Sequence, residues 1–532
     1  MRLVLIVSCQ LCAISAVAQS KYSAVALSGQ RVPGTNGGAV FYTFYGPAIS
    51  GSGAVTFQAQ VTGIDSFGPY GIWAGKTSAS LALVARQNTP APGSAGVTYY
   101  SFTDPTIGAQ DKITYFATLD PAVNGGDQGI WFGSASSPAL LAMEGTAAPG
   151  TAAGVVFDRF SLPVVTGSSD AFIGYLRGTG ISFGTNDAGI WSGSPGAVTL
   201  LARQGATAPG AGTGVTYSGF STLLGNTVGG LAFGATLSSS TGIYSGTPSA
   251  VAPVALSGNS VPGITGVRYF TFSNPALAQN VNNIAFSSRL TGTGVVTANG
   301  TAMWSGSFGA VSLVARAGSQ APGLSAGVNF GSFLVNTTSS APVIADNGAV
   351  AFQVALTGTG VTSANDSSIW AGLPGSLHLV AREGSQAQGT PSGITFDTLS
   401  QPSINPLGEV AFVAPLAGPG VDYTNNSGLW ATDLSGNLQL LARNGDLFDV
   451  GSGDMRTLAG LSIGGGSFGT DGRQSVFNAT GQLAFRASFT DGSSGVFVTT
   501  IPEPSSIWLI ASGLGAFLSR RLRRPRKQGV PS

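Results

Sequence analysis

The sequence is poor in the residues from which most active sites are built. It has one histidine, His378, and two cysteines, Cys9 and Cys12, both near the N-terminus. A lone histidine with no cysteine in the body excludes His-rich or Cys/His zinc sites and argues against a Ser-His-Asp triad. Charge is also scarce: Asp, Glu, Lys and Arg make up 8% of residues, against about 25% in an average soluble domain. Long apolar runs are missing from the interior, where none approaches the ~20 residues of a spanning helix. Helical spacing of apolar residues is absent from the body as well.

Glycine and aromatics take their place. The chain carries 80 Gly and 28 Pro together with 29 Phe, 12 Tyr and 7 Trp. Disordered segments are poor in aromatics, so this mixture points to many short apolar strands separated by Gly and Pro turns. Seven basic residues lie at the termini: Arg2, Arg520, Arg521, Arg523, Arg524, Arg526 and Lys527. Without these and Glu503, the body has 16 basic and 21 acidic residues, a net of −5. A mildly acidic body argues against nucleic-acid binding by phosphate neutralisation.

Both ends read as addresses. Residues 1–18 have the form of a secretory leader: Arg2, an apolar stretch from Leu3 to Val17, then Ala16-Val17-Ala18 with small residues at −3 and −1. Cleavage between Ala18 and Gln19 is expected, leaving a mature chain with no cysteine and therefore no disulfide or thiolate. At the other end Pro502-Glu503-Pro504 precedes an apolar stretch, Ser506 to Leu518, and then Arg520, Arg521, Arg523 and Arg524. The arginines would stay cytoplasmic under the positive-inside rule, leaving the Pro-Glu-Pro segment outside. This tail resembles a PEP-CTERM sorting signal, as found on proteins handled by exosortases in Gram-negative bacteria. The resemblance implies signal peptidase and exosortase as processing partners and a transient stay in the inner membrane. The destination it implies is the cell surface or the medium.

Between the ends runs a repeat of about 60 residues. A Gly-Ile-Trp-like triplet places aromatics at Trp73, Trp131, Trp191, Tyr244, Trp304, Trp370, Trp430 and Phe497. A Leu-Val-Ala-Arg-like strand places alanines at 26, 85, 142, 202, 255, 315, 381 and 442. A third pattern, Asn-x-x-Gly-x-x-Ala-Phe, is complete at Asn226 to Phe233, Asn405 to Phe412 and Asn478 to Phe485. Degenerate copies end at Phe57, Tyr115, Phe172, Phe286 and Phe352. Four short apolar stretches per unit, with hairpin spacing between the last two, predict an all-β fold: a β-propeller of about eight four-stranded blades. The first strand, Ala24 to Leu27, has no preceding Trp strand, and the last, Val496 to Val498, has no following Val-Ala strand. Pairing them would close the last blade and remove exposed edges. A solenoid is the main rival, but its coils repeat over about 20–30 residues. Separate sandwiches of this size would bury too little. The expected domains are therefore a leader at 1–18, the repeat domain at 19–500 and the tail at 501–532. The body is also similar to the tandem-repeat family named for the NxxGxxAF pattern, whose members carry varied surface anchors; that resemblance implies no catalytic residues.

Chemistry is harder to find. Alternation turns His378 away from Leu377 and Leu379, toward solvent. Arg86, Arg203, Arg316, Arg382 and Arg443 share one repeat position with Leu27, Met143 and Leu256. That exchange predicts packing of the aliphatic stem, with a ring of arginines for a polyanion as the alternative. Asp446, Asp449 and Asp454 in a Gly-rich insert are the candidate Ca²⁺ ligands, against ordinary turn chemistry. Glu144 and Glu383 sit in equivalent loops of different units, too far apart for a glycosidase pair. No catalytic residue and no cofactor is expected. The leading reading is a non-enzymatic structural or binding protein of the surface or extracellular matrix, with exopolysaccharide as the candidate partner. The alternative is a secreted carbohydrate-active hydrolase or lyase on the same scaffold.

Overall fold

A computed structural model describes residues 22–502 except 36, 64–67, 124–125, 162, 334–340 and 465–474. The leader, the Ala18/Gln19 boundary, Glu503, Pro504 and the terminal arginines lie outside the described residues. These described residues form eight antiparallel sheets, one per repeat, arranged as an eight-bladed β-propeller. In the sixth blade the chain runs outward through an inner strand in two pieces, Val328–Phe330 and Val343–Ile344. It continues through Val350–Gly358 and Ser367–Leu373 to the outer strand Ser376–Arg382. The eighth blade runs through Met455–Ser462, Gln482–Phe489 and Ser494–Thr500, and its outer strand is Tyr22–Leu27 from the start of the fold. Ala24 lies opposite Phe497 and Ala26 opposite Val496, so the predicted closure is present. A solenoid would have left both terminal strands unpaired.

The register explains the three repeated patterns. In every blade the Phe or Tyr of the third pattern lies directly opposite the aromatic of the first, as in Phe172 with Trp191 and Phe485 with Phe497. These rings stack nearly parallel where Tyr115 meets Trp131 and where Phe412 meets Trp430. Every outer-strand alanine lies opposite the residue before that aromatic, as in Ile190 with Ala202 and Val496 with Ala26. A small alanine against a larger apolar residue (Ile, Leu, Val or Met303) at each of these positions lets the sheets stack without a gap. The glycine of Gly-Ile-Trp is required by contact, because a Cβ at Gly189 would lie 2.8 Å from the Trp191 ring. Buried indole N–H groups need acceptors. Trp131 and Trp191 donate to the Pro92 and Pro149 carbonyls at 3.0 Å, in the Pro-Gly turn by which the chain enters their own blade. Where the glycine is replaced by Ala302 or Ser368, the indole donates to a serine instead, Ser288 at 2.8 Å or Ser368 at 2.9 Å.

The inner strands carry unpaired edges toward the axis, and two devices keep those edges from pairing. A bulge at Tyr42, Tyr100, Asp158, Ser218, Phe270 and Ala459 interrupts the register in six blades. A proline stands along the inner segment of blades one, two, three, five, six and seven, at Pro47, Pro105, Pro163, Pro275, Pro342 and Pro402. Bulges and prolines are the usual ways to blunt an edge. Beyond the proline the strand ends of neighbouring blades touch in sequence around the axis.

Candidate functional site

Polar side chains gather at two levels of the inner wall. The first level is the turn between inner and second strands, where the Asn-x-x-Gly pattern lies. Asn405 Oδ1 accepts the N–H groups of Leu407 at 3.1 Å and Glu409 at 3.0 Å, which builds the turn. Gly408 takes φ +98° there, a conformation open to glycine. Asn405 Nδ2 donates to the Asn478 carbonyl of the next blade at 3.1 Å. Asn478 repeats the arrangement and donates to the Ser50 carbonyl at 2.9 Å, and Asn226 donates to Val281 at 3.1 Å. The remaining seams are bridged by Ser50 to Asp111 at 2.6 Å, Gly167 N to Asn226 O at 2.7 Å and Thr227 N to Gln279 O at 2.8 Å. Asn280 N to Asp346 at 2.8 Å and Asp346 N to Pro406 O at 3.0 Å continue the series. Thr114 to Asp170 links blades two and three. Bonds at the level of these turns fasten each blade to the next, through the pattern's asparagine side chain at three seams and through other groups at the rest.

Asp170 is the exception within this fastener. It is fully buried at the position filled in other blades by Val55, Ile113, Leu231, Ile284, Val350, Val410 and Leu483. Thr114 Oγ1 donates to its carboxyl, as does the N–H of Ala171 at 2.9 Å. Burial pushes this carboxyl well above the usual carboxylate range, against the pull of those two bonds.

The second level lies on the seam between blades eight and one. A cleft of about 460 Å³ opens there between Thr43 and Phe44 on one side and Gly460 to Ser462, Arg486 and Ser488 on the other. Arg486 Nη1 donates across the seam to the Phe44 carbonyl at 2.6 Å. Nearby stand Tyr45, Tyr70 and Asp104. Desolvation against the wall pushes the Asp104 carboxyl up while the Arg486 guanidinium pulls it down. The Tyr45 phenol is pushed up by burial first, then by Tyr70 and Asp104, and Arg486 opposes this. Tyr42 and Tyr100, at bulges of adjacent blades, are each 59% exposed.

The residues singled out in the sequence fall elsewhere. His378 is exposed on an outer strand, beside a hollow of about 390 Å³ that also holds Asp433. Asp433 is occupied with its own turn, accepting from Ser435 N and Asn437 N at 2.9 Å. Each arginine of the outer-strand set donates Nε to a carbonyl of the preceding loop: Arg203 to Asn186 at 3.0 Å, Arg316 to Asn299 at 2.9 Å, Arg382 to Asn365 at 2.8 Å, Arg443 to Asn425 at 3.0 Å and Arg86 to Gly68 at 3.4 Å. Glu144 and Glu383 accept the N–H of Asp127 and Ser367 at 3.0 Å, and Gln204 does the same for Ala188 at 2.9 Å. Burial pushes both glutamates up and these bonds pull them down. The Ca²⁺ candidates do not converge: Asp449 caps its turn at Gly451 N, 2.9 Å, and Asp454 pairs with Arg456 at 2.7 Å. Among the described residues no group of three His, Cys, Asp or Glu side chains is placed to hold a metal. Among them, too, no helix is long and apolar enough to cross a membrane.

The sequence matches the family of unknown function DUF7453 over residues 12–137, 62–241 and 234–508. The chain belongs to that family. No curated protein matches it. Among solved structures it is similar to a Mycobacterium tuberculosis puromycin-hydrolyzing peptidase at 12% identity and TM-score 0.37, covering 84% of this chain and 58% of the peptidase. A second is the β-propeller domain of the Trilobed protease from Pyrococcus furiosus, at 9% identity and TM-score 0.37, covering 76% of this chain and 96% of that one. A third is the Trypanosoma rangeli sialidase, at 12% identity and TM-score 0.27, covering 96% and 63%. The expectation of a non-enzymatic chain is corrected by these matches, since peptidases and a sialidase are among the structures similar to it. At these identities the likeness is one of fold, and no catalytic residue is carried over.

Proposed function

We propose that this DUF7453 protein is exported to the bacterial cell envelope, where its propeller is displayed as a ligand-binding scaffold for surface polysaccharide. The observation that carries this reading is where the fold begins and ends. Its first strand starts at Tyr22, just past the predicted cleavage after Ala18, and its last ends at Thr500, just before Pro502. Tyr22 pairs with Thr499, so the first and last strands lie side by side in one blade, and cuts before Tyr22 and after Pro502 leave every described strand whole. Pro502 is held at the rim by Gln439, whose Nε2 donates to its carbonyl at 3.0 Å. In the proposed pathway signal peptidase cuts at Gln19, the apolar stretch after Pro504 halts in the inner membrane, and an exosortase acts at Pro502-Glu503-Pro504.

The test is fractionation of cells producing the full chain, with N-terminal sequencing and intact mass. The mature protein should begin at Gln19, react with no thiol reagent and lie at the surface or in the medium. Replacing Glu503 and its flanking prolines should trap a longer species in the inner membrane. A thiol-reactive mature chain, or an unchanged mass and location for the tail mutant, would overturn the pathway.

A further inference from the structure

We infer that the cleft on the closing seam binds a polyhydroxylated carboxylate of sugar size through Arg486, which deepens the binding reading above by naming the ligand's chemistry. The position of Arg486, directly after the aromatic of the third pattern, holds Gln58, Phe116, Ile173, Gly234, Ser287, Gln353 and Val413 in the other blades. A cation stands there in the closing blade alone, so the fold of the repeat does not require it. Its side chain is half-buried, and its Nη1 is fixed by the Phe44 carbonyl at 2.6 Å. Among the described residues the buried Nε has no partner and no carboxylate forms an ion pair with the guanidinium. Asp104 acts on it through space without touching it.

A partly desolvated cation compensated only through space, by Asp104, is incompletely paired, and a ligand carboxylate in direct contact would stabilise it further. The guanidinium is already oriented by its bond to Phe44, so little rotamer freedom is lost on binding. Thr43, Ser462, Ser488 and Ser494 line the rest of the cleft, while Phe44 and Phe489, which also border it, are each only 3% exposed and packed into the blade cores. Hydroxyl-bearing side chains beside one cation match a ring bearing several hydroxyls and one carboxylate. The cleft volume of about 460 Å³ lies within the range of about 300–1,000 Å³ usual for small-molecule sites.

The test is calorimetric titration of the full chain with galacturonate and, as the uncharged control, galactose. Galacturonate should bind at least about tenfold more tightly, the size of one charge-assisted hydrogen bond. Arg486→Met should bring galacturonate down to the level of galactose, and Arg486→Lys should restore part of the difference. Ser488→Leu, at an exposed rim position, should block both sugars without touching the guanidinium, and it decides the matter if Arg486→Met fails to fold. Equal binding of the two sugars, binding that survives Arg486→Met or Ser488→Leu, or no binding by the wild-type chain would each overturn the inference. None of these results bears on export, which is read from mass and location.

Discussion

The inner wall holds polar groups at two levels only a few residues apart, and the two levels behave in opposite ways. At the turns, Asn226, Asn405 and Asn478 direct both ends of the side chain into protein, one into the turn and one into the next blade. On the closing seam, Arg486 is bonded on one side, and among the described residues it forms no ion pair. Saturated groups hold a ring together; a guanidinium that lines a cavity with no ion-pair partner is available to a ligand. A repeated residue can therefore be the mechanical part, while the residue that breaks the repeat is the chemical one.

The largest effect should come from the seam itself. Deleting residues 22–27 removes the outer strand of the eighth blade and exposes backbone donors along Ser494–Thr500. The whole ring should then lose cooperative unfolding and aggregate, as read by thermal denaturation and light scattering. Fraying confined to one end would mean the ring is open. Next in size is the aromatic stack. Trp191→Ala, at a site with no exposure, should cost about 3–5 kcal/mol in denaturant unfolding. A far smaller loss would mean that the Phe172–Trp191 pair does not organise its blade.

The fastener should matter less per site. Asn405→Ala removes bonds to Leu407, Glu409 and Asn478 and should cost about 1–3 kcal/mol. Mutating a turn residue that makes no bond to the next blade should cost measurably less; equal costs would remove the distinction between turn and fastener. The smallest expected effect is at Asp170, whose folded-state carboxyl is pushed up by burial. A raised folded value means that its stabilising share is complete below the unfolded value of about 3.9 and is lost as pH rises through the folded value. Asp170→Val, the residue of blades one, six and seven at this position, should raise the melting temperature at neutral pH by a few degrees and flatten that decline. An unchanged pH profile would show that Asp170 is not the group responsible.

Much of the ring could be read in advance because its parts recur. Aromatics and alanines at fixed spacing gave the blade count, and the register pairs those same residues across neighbouring strands. Closure was legible from one unmatched strand at each end. The cleft was not, because Phe44 and Arg486 stand 442 residues apart in sequence and meet only when the ring shuts. Asp170 was hidden for another reason: an acidic residue after Gly-Ser-Ser reads as turn chemistry, and only the register puts it in the core. The outer-strand arginines were read through their alternation with Leu and Met, which says nothing of the loop carbonyls they clamp.

The central claim is that the first and last strands of the fold are neighbours in one sheet. The register puts Ser23 opposite Val498, whereas Ala26 faces Val496, so a crosslink between positions 26 and 498 would be out of register. Directly opposed strand residues have Cα atoms about 4.5–5.5 Å apart, within the span of a disulfide. Cysteines placed at Ser23 and Val498 in a chain lacking residues 1–18 would be its only thiols. Mild oxidation should consume both thiols within the monomer and give a compact, faster-migrating species on a non-reducing gel. Free thiols that persist after oxidation, or crosslinks that form only between molecules, would contradict the closed propeller.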